Sequence, residues 1–364
     1  MKVVIFGLTI SSSWGNGHAT LWRGLVNALV RRGHRVVFFE RDVEYYAINR
    51  DLDDIAGGSL QIYAAWDDVV PAARRELIDA DVAIVTSYCP DALEAERLVL
   101  DAPRPLHVFY DLDTPVTLSR LSEGLRPAYV GPRGFADYDL VFSYTGGTAL
   151  DDLRLRLGAV RVVPLYGHVD PAVHRPVPPS ARFQSALTYL GTYAADRQST
   201  LQDLFIEPAR RAPKARFTIG GAQYPADFPW TPNIFFVRHL PPPEHPTFYC
   251  SGRLTLNVTR QAMAEMGWCP SGRLFEAAAC GAAILSDAWD GLDQFFMPGR
   301  DILVAGAADD TLAALELNDA EIRRIAAAGR ERVLAEHTSD HRAAEFERAL
   351  DAIVRPTISV CVEA

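Results

Sequence analysis

Short β-branched apolar runs alternate with amphipathic segments from the first residues onward, and the pattern restarts once in the second half of the chain. The first set comprises KVVIFGL, HRVVFFE, LQIYAA, VAIVTS, LHVFYDL, LVFSY and VRVVPLY, beginning at residues 2, 34, 60, 82, 106, 140 and 160. The second comprises ALTYLGTY, ARFTIGG, NIFFVRHL, LTLNVTR, AAILSD and ILVAG, beginning at residues 186, 215, 233, 254, 282 and 302. Strands this apolar are buried on both faces, and the helices between them supply the cover, so each half is an α/β, doubly wound parallel sheet. YGHVDPAVHRPVPP at residues 166–179 separates the halves, because a proline-rich run continues neither helix nor sheet.

The expected organisation is an N-terminal Rossmann-like domain over 1–166, a linker over 167–180 and a second Rossmann-like domain over 181–340. Residues 341–364 form a C-terminal helix and tail. A length of 364 residues suits two domains. Open parallel sheets bind ligands at the carboxyl ends of their strands, so the expected site lies in the cleft between the domains.

A net charge of −10 excludes general nucleic-acid and acidic-membrane binders, which select basic surfaces. Cys89, Cys250, Cys269, Cys280 and Cys361 form no CxxC pair, which suits reduced thiols and a cytoplasmic protein. No secretory leader and no run of about 18 apolar residues stand out. Oligomeric state is not readable.

Several strand ends carry loops suited to ligands. SSSWGNGHAT at residues 11–20 joins the first strand to a helix expected over 21–33. Gly15, Asn16 and Gly17 let a ligand approach the backbone, and His18 is a candidate base. As a dinucleotide fingerprint the loop lacks its third glycine, where Thr20 stands, although Glu40 ends the next strand where a ribose-binding acid would lie. In YDLDTP, Asp111 and Asp113 follow a strand, and Asp111 is a second candidate base. Thr145 and Gly146 of SYTGG offer another close approach on the same edge. In the second half, Arg197 and Arg260 follow strands. Ser271 is placed to cap a helix whose first amides, near Gly272 and Arg273, receive phosphate oxygens. Glu276, one turn later, accepts ribose hydroxyls. Asp287, Asp290 and Asp293 read as turn and cap residues, so no metal site is expected.

PSGRLFEAAACGAAILSDAWDGLDQFFMPGRDILVA resembles the C-terminal half of GT-B glycosyltransferases, specifically CgeB-like proteins related to glycosyltransferase family 4. SSWGNGHAT, YDLDTPVTL, YTGG, YLGTYAADRQ and LNVTR resemble the same group, so the likeness spans nearly the whole chain. It implies two Rossmann-like domains facing a cleft, with a nucleotide-diphosphate sugar as co-substrate held by the second and the acceptor against the first. It also implies that the C-terminal helix crosses back to the first domain. Glu276 matches the donor-ribose glutamate, Arg260, Ser271, Gly272 and Arg273 the diphosphate region, and Arg197 the basic residue after the first strand of the donor domain. His18 and its glycines match the loop that touches the reacting groups. The pattern departs where family 4 enzymes carry a second glutamate, eight residues before Glu276. Trp268 stands there and the nearest acid is Glu265, which leaves retention or inversion open and favours His18 or Asp111 as a base. The expected activity is metal-independent transfer of a sugar to a hydroxyl, with no further cofactor. An NAD-dependent oxidoreductase and a non-catalytic sugar-nucleotide binder are the alternatives.

Overall fold

A computed structural model describes residues 1–15 and 17–354; Asn16 and the tail beyond residue 354 lie outside the described residues. The first half forms a seven-stranded, all-parallel sheet in the order β3-β2-β1-β4-β5-β6-β7. Its strands are β1 (Lys2–Gly7), β2 (Arg35–Arg41), β3 (Ser59–Tyr63), β4 (Val82–Thr86), β5 (Leu106–Asp111), β6 (Leu140–Ser143) and β7 (Val162–Pro164). The second half forms a six-stranded parallel sheet, β10-β9-β8-β11-β12-β13. Here the strands are β8 (Ser185–Leu190), β9 (Phe217–Gly221), β10 (Ile234–Arg238), β11 (Gly252–Asn257), β12 (Ile284–Ser286) and β13 (Leu303–Val304).

The two-residue period of a strand divides each apolar run between two cores. Val4 and Phe6 of β1 join Val37, Phe39, Ala83 and Val85 on one face. Val3 and Ile5 join Val36, Phe38, Val82 and Ile84 on the other. The second sheet is divided in the same way, with Ile284 on one side and Leu285 on the other. Strand order reverses between β1 and β4 in one sheet and between β8 and β11 in the other. The loops after β1 and β8 therefore open at the two switch points, where parallel sheets leave a crevice.

Two boundaries differ from the sequence expectation. The first helix begins at His18 rather than Leu21 and ends at Arg31, which puts His18 in its first turn. Residues 195–211 run helically without a break, as the apolar spacing of 196–212 leads one to expect, and widen at Gln202–Ile206. Pro208 is the cause: it has no N–H for the Leu204 carbonyl, which accepts instead from Thr311 Oγ1 at 3.2 Å. Residues 318–354, helical throughout by period and propensity, form two helices, Asp319–Glu336 and Ser339–Val354. Between them His337 O accepts from Val169 N–H at 3.1 Å, and Ser339 N–H donates to Val169 O at 2.8 Å.

That break turns the last helix onto the first domain. Ala343, Phe346 and Leu350 enter its core, and Phe346 stacks on Phe142 at 5.3 Å. Arg31 pairs with Asp340, and Arg32 and His34 both pair with Glu347. Hydrogen bonds from Arg32 and His34 hold the Glu347 carboxyl well below its ordinary range. Gly24 makes the contact possible, since a Cβ there would lie 2.6 Å from Ser339 Oγ and 3.0 Å from the His168 ring. Among the described residues no helix is long and apolar enough to cross a membrane.

Candidate active site

The crevice between the two domains holds a cavity of about 610 Å³. Its first-domain wall is made by Gly15, Gly17, His18 and Asp113, and its second-domain wall by Arg197, Arg260, Arg273, Ser271, Gly272 and Glu276. Residues read from five separate loops thus line one space.

On the first-domain side, the His18 Nε2 lies 2.9 Å from Asp113 Oδ2. Asp113 Oδ2 also accepts from Ser87 Oγ at 2.9 Å. Burial works against the Asp113 charge, but His18, the Ser87 hydroxyl and the Arg260 charge outweigh it and hold the carboxyl below its ordinary range. The His18 Nδ1 is sheltered and has no partner. The carboxylate at Nε2 orients the imidazole as in a histidine base, and the covered Nδ1 reaches an acceptor only once it is uncovered.

The loop that carries His18 is braced from below by Glu40. This buried carboxylate accepts from Thr9 Oγ1 at 2.8 Å, Ile10 N–H at 2.8 Å, and Ser11 N–H and Oγ at 3.0 and 2.5 Å. Glu40 is consumed by its own loop and does not reach the cavity, so the ribose-acid role open to it in the sequence is overturned.

Asp111 also requires correction. It is the last residue of β5, fully buried, and does not line the cavity. Its Oδ1 accepts from Thr117 Oγ1 at 3.0 Å and Asp113 N–H at 3.1 Å, beneath the helix Thr114–Ser122. It touches no substrate from there. Burial, with the Asp113 charge beside it, pushes its carboxyl up to about 7. The unfolded chain releases this proton near pH 4 and the folded chain near pH 7, so the group costs stability progressively across that window as pH rises. Asp111→Asn is therefore expected to gain stability over the natural chain between about pH 4 and 7, by up to about 4 kcal/mol, levelling above pH 7. Thermal unfolding at several pH values measures this, and a pH-independent difference would refute it.

Thr145 and Gly146 are likewise displaced from the cavity. Thr145 is fully buried, and its Oγ1 lies 3.0 Å from Cys269 Sγ. Gly146 N–H donates to Trp268 O at 3.0 Å, and Tyr144 OH to Pro270 O at 2.6 Å. These bonds seal the domain seam. Trp268 belongs to the same seam: its ring fills the space that a Cβ on Gly147 or Gly291 would occupy, 2.5 Å away in both cases. The position where the family pattern has a second glutamate is thus spent on clamping the domains. Asp113 and Glu276 are the only carboxylates among the described residues lining the cavity.

The second-domain wall is cationic. Arg273 donates from Nη1 to Asn257 Oδ1 at 2.9 Å and from Nε to Leu190 O, and lies 5.2 Å above the Tyr189 ring. Arg260 pairs through Nε with Asp196 at 3.0 Å. Burial and the charges of Arg273 and Arg260 lower the proton affinity of Arg197. The sequence expectation that Ser271 caps the helix Gly272–Ala279 fails, since its side chain makes no capping bond. Leu274 N–H donates to Ser271 O at 3.0 Å, and the Gly272 and Arg273 amides are left without a side-chain cap at the cavity wall. A Cβ on Gly221, at φ +156°, would lie 2.0 Å from Gly191 O, so only glycine brings these two loops together. Sheltered polar atoms without partners gather here, among them Tyr189 OH, Arg197 Nε and Asp196 Oδ1. Such atoms are costly unless a ligand satisfies them.

Several cavity residues escaped the sequence reading. Tyr193, His239, His245 and Tyr249 line the space, and Trp14 packs on His239 across the cleft at 3.7 Å between rings. His239 and His245 stand just after β10, so the strand-end rule that found Arg260 applied to them too. Asn16 lies outside the described residues.

Comparison with known proteins agrees with this architecture. Residues 197–348 match the family described as glycosyl transferase-like. No curated protein matches the chain in sequence. Sucrose-phosphate synthase from Thermosynechococcus elongatus superposes with a TM-score of 0.69 at 14% identity, covering 97% of this chain and 99% of that one. HepE from Anabaena, in complex with UDP and glucose, gives 0.66 at 12% identity, covering 97% and 100%. The DNA-modifying enzyme β-glucosyltransferase, studied with uridine diphosphoglucose, gives 0.60 at 14% identity, covering 96% and 100%. The chain therefore has the GT-B fold, and its second half matches the glycosyl transferase-like family.

Proposed function

We propose that the protein transfers a sugar from a nucleotide-diphosphate sugar, a uridine diphosphate sugar first among candidates, to a hydroxyl-bearing acceptor. The observation that carries this is the meeting of Arg197, Arg260, Arg273 and a helix N-terminus without a side-chain cap opposite the His18–Asp113 pair in one cavity. Fixed cations and amides aimed at a departing diphosphate stabilise charge as it develops, and they do so without a metal. Glu276 takes the ribose hydroxyls. His18 accepts the acceptor's proton, and Asp113 stabilises the imidazolium. A base across the cavity from the leaving group suits inversion at the sugar carbon. The uridine nucleotides bound by HepE and β-glucosyltransferase support the choice of donor. A cytoplasmic location and a small-molecule or glycan acceptor complete this reading.

Calorimetry with UDP-, GDP- and dTDP-sugars tests it directly. One of them is expected to bind, and to be consumed when acceptors are supplied. Binding without any turnover, hydrolysis included, makes the protein a sugar-nucleotide binder. Stabilisation by NAD and by none of the sugar nucleotides would restore the oxidoreductase alternative, which the buried, fully engaged Glu40 opposes.

A further inference from the structure

Behind the donor wall, three metal-type ligands converge from separate segments. His174 comes from the linker, His245 from the helix His245–Ser251 and Glu276 from the helix Gly272–Ala279. One donor atom from each lies within 4.8 Å of the others. We propose that His174, His245 and Glu276 form a binding site for a zinc-like divalent transition-metal ion.

Three independent features support the site. The His174 side chain is 5% exposed, and its Nε2 makes no hydrogen bond although it points at Glu276 Oε2, 3.9 Å away. That separation suits two ligands of one ion, since Zn–N and Zn–O bonds run about 2.0–2.2 Å. Next, His245 Nε2 lies 3.2 Å from Leu240 O, which can only accept. Nε2 therefore carries the proton and Nδ1 presents a lone pair, as ligating histidines do when a backbone carbonyl holds their other nitrogen. Third, Tyr249 OH donates to Glu276 Oε2 at 3.2 Å and fixes the carboxylate.

The donor set selects the ion. Two imidazoles and one carboxylate favour Zn²⁺, Co²⁺ or Ni²⁺ over Mg²⁺ and Ca²⁺, which prefer oxygen ligands. His245 and Glu276 also line the cavity while His174 does not, so the remaining coordination position opens towards the cavity. Glu276 is shared with the ribose role proposed above, so metal and nucleotide compete for its carboxylate, whereas the diphosphate chemistry stays with the arginines.

The full chain, stripped with a chelator, is titrated with Zn²⁺ by calorimetry and with Co²⁺ by visible absorption. One equivalent of each is expected, with cobalt bands of a four- or five-coordinate nitrogen and oxygen set and no thiolate charge-transfer band. His174→Gln and Glu276→Gln are expected to weaken Zn²⁺ binding about 100-fold or more. Both preserve side-chain size and polarity, and circular dichroism checks that each folds. No binding to the natural chain, a thiolate band, or equal affinity in both folded variants would overturn the proposal. UDP titration of the stripped natural chain and of His174→Gln, which leaves Glu276 in place, reports on the donor site separately, so failure of one reading leaves the other standing.

Discussion

Arg273→Ala is expected to weaken binding of a nucleoside diphosphate about 100-fold or more, measured by calorimetry with UDP. The size follows from the geometry. Arg273 is held by Leu190 O, Asn257 Oδ1 and the Tyr189 ring, so its guanidinium is positioned before any ligand arrives. A preorganised charge loses little side-chain entropy on binding, and most of its attraction to phosphate appears as affinity. Arg260 differs: it is half exposed and already paired with Asp196, so Arg260→Ala should cost less than Arg273→Ala. Arg273→Lys should fall close to the alanine variant, because an ammonium cannot keep the forked bonds to Leu190 and Asn257 while reaching the ligand. Wild-type affinity in Arg273→Ala would remove the diphosphate from this wall.

His18→Ala is expected to lower turnover about 10³-fold while leaving UDP affinity nearly unchanged. His18 sits on the opposite wall from the arginines, so its loss touches proton transfer and not donor binding. Asp113→Asn should cost less, about 10-fold to 100-fold, since an amide still bonds the ring but no longer stabilises its positive form. With its carboxyl held low, Asp113 remains ionised through neutral pH. Its support for the pair is lost only when pH falls below the ordinary carboxylate range, so wild-type activity should not decline on that account between pH 6 and 8. The comparison to make is kcat against nucleotide Kd in the same preparations. A parallel loss of both in His18→Ala would show that the loop had collapsed and would deny His18 its role as base.

The contrast between Asp111 and Asp113 shows where sequence reasoning stops. Both follow the same strand, in YDLDTP, and nothing in their spelling separates a buried carboxyl from a cleft-facing one. The helix Thr114–Ser122 turns over Asp111, whereas Asp113 lies in the loop beside His18 and Ser87. Glu40 offers a second case. Its place at the end of β2 is what a ribose-binding acid would have, but the lengthened loop over residues 9–11 folds back and takes all its bonding capacity.

Local chemistry along the chain was sufficient for much of the architecture. Continuous β-branched apolar runs dictate strands buried on both faces, proline dictates the break near residue 170, and glycines before charged residues mark loops at strand ends. Those are near-neighbour effects, and they located His18, Arg197, Arg260, Arg273 and Glu276. Which side chains meet depends instead on how two sheets pack, over separations from tens of residues to more than a hundred. Packing paired His18 with Asp113, diverted Thr145 and Trp268 into the seam, and gathered His174, His245 and Glu276 from three segments. No local pattern carries that information, because each such contact is settled by the relative placement of elements that sequence neighbours never touch.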